Sequence, residues 1–90
     1  MLYALICTDK AGALQTRLDN RAAHLAYIEE TGVVLQAGPF LSEGGEMCGS
    51  LVVLDVADRA AAEAWAAGDP YAKAGLFSNV RIEAWKKVIG

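Results

Sequence analysis

From Leu2 to Thr8 nearly every position is apolar or β-favouring (LYALICT), which predicts a short central strand covered on both faces. A loop follows at Asp9-Lys10-Ala11-Gly12. From Ala13 to Thr31 the spacing turns helical: Leu14, Leu18, Leu25 and Ile28 fall at i, i+4, i+11 and i+14, one stripe of a helix. Gly32 is placed to end it. Residues 33–41 (VVLQAGPFL) read as a second strand, with Pro39 demanding an edge position or a bulge. The cluster Ser42-Glu43-Gly44-Gly45-Glu46 is a turn, and a third strand of about Cys48 to Val56 completes a hairpin. Asp58 is a candidate N-cap for a helix over Arg59 to Ala67 that Trp65 anchors. Gly68-Asp69-Pro70 ends that helix. Ser78 to Ile89 alternate as a last strand, with Val80, Ile82 and Ala84 on one face.

The order is therefore βαββαβ, the split, ferredoxin-like α+β plan. Right-handed crossovers put both helices on one face of a four-stranded antiparallel sheet. The other face is left bare, although the strands are apolar on both sides. Leu2, Ala4 and Ile6 back onto Tyr3, Leu5 and Cys7, while Val52, Leu54 and Val56 back onto Leu51 and Val53. Apolar residues make up 54% of a 90-residue chain, more than so small a volume can hide. The expectation is one domain over residues 1–90 that works as a homodimer or higher oligomer, its sheets face to face. Leu5→Glu should dissociate or unfold it if Leu5 faces the partner.

Charge and cysteine content narrow the partners. The net charge is −3, and the longest basic run is Lys86-Lys87, so neither nucleic acid nor an anionic membrane is expected. The apolar start is short and lacks the basic flank of a signal peptide, and nothing resembles a membrane span. Cys7 and Cys48 form no disulfide framework; both are expected as free thiols in a cytoplasmic protein, although the topology brings them near one rim. His24 is the only histidine and no Cys-x-x-Cys occurs, so no metal and no cofactor are expected.

Topology brings the end of the first strand, the start of the first helix, the end of the second helix and the start of the last strand to one rim. Asp9, Arg17, Arg21 and Asp69 should lie there, joined by Gly38-Pro39 and Cys48-Gly49. Arg17, Arg21 and His24 share a helix ridge at i, i+4 and i+7 beside the apolar stripe. An imidazole on that ridge facing a carboxylate across the rim would form the pair that general acid–base catalysis uses. Two plainer readings stand beside this one: Asp69 serving turn chemistry before Pro70, and the arginines forming a solvated face with Asp9 and glutamates.

The chain resembles the YCII-related (YciI-like) family along essentially its whole length. The resemblance is carried by Met1-Leu2-Tyr3 with Asp9, by Arg17 and Arg21 leading into Ala23-His24-Leu25, and by Ala37-Gly38-Pro39. It continues through Gly49-Ser50, Ala64-Trp65, Asp69-Pro70-Tyr71, Ala74-Gly75 and Lys86-Lys87-Val88. The resemblance implies a dimeric α+β barrel with a site around a His–Asp pair, here His24 and Asp69. It also implies that Ser50 and the Gly38-Pro39 turn border the pocket; Asp9, Arg17, Arg21 and Tyr71 complete the expected substrate-facing set.

Two functions follow. One is a small enzyme without metal or nucleotide cofactor. In it His24 is general acid or base, Asp69 orients it, and Arg17 or Arg21 holds an anionic or phenolic oxygen during elimination, isomerisation or hydrolysis. Cys7 is a nucleophile candidate whose apolar strand favours inert packing instead. The other is a non-catalytic dimeric ligand-binding or accessory protein that uses the same pocket.

Overall fold

The computed structural model describes all 90 residues. Its elements are β1 (Leu2–Asp9), α1 (Leu14–Thr31), β2 (Val34–Leu41), β3 (Met47–Asp55), α2 (Arg59–Gly68), α3 (Pro70–Lys73) and β4 (Phe77–Trp85). The strands form one antiparallel sheet of order β2-β3-β1-β4. β1 and β3 are central, as their two-sided apolar patterns require. β2 is an edge strand whose pairing with β3 is irregular near both ends, which accommodates Pro39.

Register decides which residues face the helices. Leu5 lies opposite Val52 and Ile82, and Tyr3 opposite Leu54. Tyr3, Leu5, Cys7, Val52 and Leu54 pack with Ala62 and Trp65 of α2 into the core. Leu5 is thus on the helix side, and Leu5→Glu tests folding rather than association. The face away from the helices carries Leu2, Ala4 and Ile6, with Val53 opposite Ala4 and Leu51 opposite Ile6. Ile6 and Leu51 there are only half-buried.

Local signals set most element ends. Asp58 caps α2 by accepting from the Ala61 amide at 2.9 Å. Gly32 closes α1 in the left-handed region (φ 65°), which costs glycine least. β4 stops at Trp85 instead of running to Ile89. Trp85 pairs with Leu2, the first residue of β1, so later residues have no strand to join; Val88 and Ile89 are 82% and 91% exposed.

The inner face of α1 is not the leucine stripe. Leu18 and Leu25 are about half exposed, whereas Arg17 and His24 are buried. The helix is rotated so that two polar side chains enter the core. No helix is long and apolar enough to cross a membrane.

Candidate functional site

Two buried polar clusters meet beneath α1. In the first, the Arg17 guanidinium grips Asp9 at the end of β1: Nε donates to Oδ2 at 2.8 Å and Nη2 to Oδ1 at 2.9 Å. Nη2 also donates to Ser50 Oγ on β3 at 2.8 Å. The Arg17 and Asp9 side chains are only 3% and 5% exposed. Burial alone would lower the Arg17 pKa, but the hydrogen bond and charge of Asp9 outweigh it and hold the pKa above its ordinary value. The planar fork suits this two-point grip.

In the second cluster, His24 Nδ1 is 2.8 Å from Asp69 Oδ1. A carboxylate only accepts, so Nδ1 carries the proton. The same oxygen accepts from the Tyr71 amide at 3.0 Å. This is N-cap geometry, with Asp69 capping α3 and Pro70 at its first position, and it fixes the carboxylate. The Tyr71 ring stacks on the imidazole, centroids 3.9 Å apart and 14° from parallel, and Arg17 Cζ lies 4.8 Å from the centre of that ring. Burial pushes the Tyr71 phenol up, against the pull of Arg17 and Arg21, so its hydroxyl stays protonated at neutral pH.

A cavity of about 140 Å³ opens between α1 and the β2 edge. Arg17, Arg21, His24, Leu25 and Ile28 line it from α1, Ala37-Gly38-Pro39 from β2, Met47, Ser50 and Val52 from β3, and Tyr71 from α3. Every buried side-chain nitrogen or oxygen has a hydrogen-bond partner, yet His24 bonds through Nδ1 alone. Nε2 is therefore open to the cavity. Arg17, Arg59 and Arg81 each pair with a carboxylate; Arg21, exposed at the wall, does not.

Of the expected site residues, Arg17, Arg21, His24, Tyr71, Ser50, Gly38 and Pro39 line this space, and Asp69 stands behind His24 without lining it. Asp9 does not line it and serves as the counter-ion of Arg17, a buried pair rather than a solvated face. Arg17 is largely committed to Asp9 and Ser50, which leaves Arg21 as the free cation. The apolar wall of Leu25, Ile28, Met47 and Val52 was not foreseen, nor was the stacking of Tyr71 on His24. The Asp-Pro-Tyr sequence held a signal for the latter, since Asp at an N-cap with Pro next places the following amide on the carboxylate.

The profile of the YCII-related domain matches residues 1–86. The chain belongs to the YCII-related family. Protein YciI of Escherichia coli is 37% identical to this YCII-related chain over 97 aligned positions, covering 98% of it and 99% of the relative. An uncharacterized protein of Haemophilus influenzae is 35% identical over 98 positions, with coverage of 98% and 99%.

Among solved structures, 5-chloro-2-hydroxyhydroquinone dehydrochlorinase from Burkholderia phenoliruptrix, in complex with 2,5-dihydroxybenzoquinone, superposes with a TM-score of 0.89. It is 36% identical, covering 96% of this chain and 94% of that one. An antibiotic biosynthesis monooxygenase superposes at 0.61 with 14% identity over 99% and 100% of the two chains, a likeness of fold alone. The resemblance read from short motifs is thus borne out, as is the ferredoxin-like α+β plan.

Cys7 and Cys48 are free thiols, the first buried and the second exposed. Burial, with Asp69 nearby, pushes the Cys7 pKa from 9.0 up to about 12. The thiolate that nucleophilic attack needs is therefore disfavoured. Because the folded pKa exceeds the unfolded one, the protonated thiol's contribution to stability is complete below pH 9 and is lost as pH rises towards 12. Urea unfolding at pH 8 and pH 10.5 should show this loss, and Cys7→Ala should lose less. An equal loss in both proteins would assign the alkaline sensitivity to other groups.

Proposed function

We propose that this chain is a cofactor-independent acid–base enzyme acting on a small, ring-sized, oxygenated molecule, with His24 exchanging the proton and Asp69 orienting it. The observation that carries the reading is the buried Nδ1–Oδ1 contact of 2.8 Å, which turns Nε2, without a protein partner, towards the cavity; in the neutral imidazole that nitrogen carries the lone pair a general base needs. Cavities near 150 Å³ hold one benzene ring, so about 140 Å³ suits a single substituted ring. In an elimination, Nε2 takes a proton from the substrate, the freed electron pair forms the new double bond, and the leaving group departs as an anion. Asp69 stabilises the resulting imidazolium, and Arg21 steadies the charged oxygen.

The dehydrochlorinase likeness at 36% identity supports elimination over isomerisation or hydrolysis. A panel of chlorinated and unchlorinated hydroxyquinols, followed by chloride release and by absorbance of the quinone product, tests it. Catalysed chloride release is the expected result. Saturable binding of the panel without turnover would instead make the protein a ligand-binding module.

The working unit in this reading is a homodimer joined through the face that carries Ile6 and Leu51. Ile6→Glu should turn the dimer into a folded monomer by light scattering, whereas Leu5→Glu should abolish the fold. A native protein that runs as a monodisperse monomer at micromolar concentration would contradict the dimer.

A further inference from the structure

The two elements that carry His24 and Asp69 are joined a second time, one helical turn away. Tyr27 follows His24 by three residues, so both rise from neighbouring positions on α1. Its hydroxyl donates to the Trp65 carbonyl at 2.9 Å. That carbonyl belongs to the last turn of α2, where helix carbonyls lack partners of their own. Trp65 Nε1 returns a bond to Thr31 Oγ1 at 2.9 Å, and Thr31 Oγ1 donates back to the Tyr27 carbonyl at 2.9 Å.

The contact is closed by the residue before Asp69. A Cβ on Gly68 would lie 2.5 Å from Tyr27 Oη and 3.2 Å from Cζ, so only glycine lets the ring reach its acceptor here. Trp65 lies in the last turn of α2, whose C-cap is Asp69, and Tyr27 lies one turn after His24 on α1. The Tyr27–Trp65 and His24–Asp69 bonds thus tie the same two stretches of chain together at two points three to four residues apart.

We propose that Tyr27, seated against Gly68, is a positioning residue that sets the separation of His24 and Asp69. Its catalytic consequence rests on the acid–base reading above; its structural consequence does not. The phenol lies in the field of Asp69, and burial and that charge both push its pKa up, so it remains a donor at neutral pH. A role confined to packing would lower the melting temperature and leave the pair unchanged.

Because His24 is the sole histidine, nitrogen-15 labelling of histidine gives one imidazole to follow by NMR. Tyr27→Phe deletes the hydrogen bond and keeps the ring, and Gly68→Ala displaces the ring. Val53→Ala, a buried site on the face of the sheet away from the helices, serves as the control of general destabilisation. In both clamp variants the Nδ1 resonance should move and its proton should exchange on the order of tenfold faster. The kcat/KM should fall on the order of ten- to a hundredfold, the scale of a small misplacement of reacting groups. The control should change neither. If Tyr27→Phe reproduces the native imidazole spectrum and exchange rate while melting earlier, the proposal is wrong. Should Gly68→Ala not fold, Tyr27→Phe decides alone. Absence of native turnover would refute the acid–base reading, while the imidazole readout still decides the clamp.

Discussion

Asp69→Asn is expected to lower kcat/KM by about 10²–10⁴-fold, the span that a positioned acid–base group supplies, with little change in melting temperature. Both contacts to Asp69 use Oδ1, and an asparagine oxygen can accept from Nδ1–H and from the Tyr71 amide alike. Only the negative charge that steadies the imidazolium is removed. His24→Ala should lose at least as much activity, with a larger drop in stability, because it also empties the space under the Tyr71 ring. Kinetics on the accepted substrate and thermal unfolding of the same preparations check both. A variant that loses stability and retains turnover would make the pair structural.

Arg17→Met should be the most destabilising single change on the polar side of the core. It strands Asp9, 5% exposed, and removes the donor to Ser50. Breaking a buried pair from one side costs about 3–5 kcal/mol, a large part of the roughly 5–15 kcal/mol that holds a domain together. For a chain of this size each kcal/mol moves Tm by about 4–8 °C. The double variant Arg17→Met with Asp9→Leu should recover much of the loss, since it leaves no unpaired charge. Circular-dichroism melts of the three proteins decide this. A double variant no more stable than Arg17→Met would mean that the guanidinium acts through Ser50 or Tyr71 rather than Asp9.

The sheet was legible because its signal is local. β1 and β3 are apolar on both sides, and only the centre of the sheet satisfies that. Asp58, Gly32 and Pro39 mark their own backbone environments. The orientation of α1 was not legible from periodicity, since Arg17 and His24 are buried on account of partners far away in sequence. The Arg17–Ser50 and His24–Asp69 bonds span 33 and 45 residues, and without those partners a leucine stripe is the better inward face. Val88 and Ile89 are β-favouring residues that continue the apparent strand in the sequence but have no neighbouring strand to join. At the site, topology brings Asp9, Arg17, Arg21 and Asp69 towards one rim, and the family resemblance singles out His24 and Asp69. The sequence offers Asp9 as a partner for the arginines, but gives no sign that the pair is buried and takes Arg17 alone, leaving Arg21 as the free cation.

The central claim, that Nε2 of His24 meets the substrate while Nδ1 stays on Asp69, is tested most directly by NMR of the single imidazole. Protein labelled at histidine with nitrogen-15 is titrated with 2,5-dihydroxybenzoquinone. The expected result is a saturable shift of Nε2, with the Nδ1 proton retained and slow to exchange, and loss of that shift in Arg21→Ala. An Nε2 resonance that stays fixed while the quinone binds elsewhere, or no binding at millimolar ligand, would contradict it.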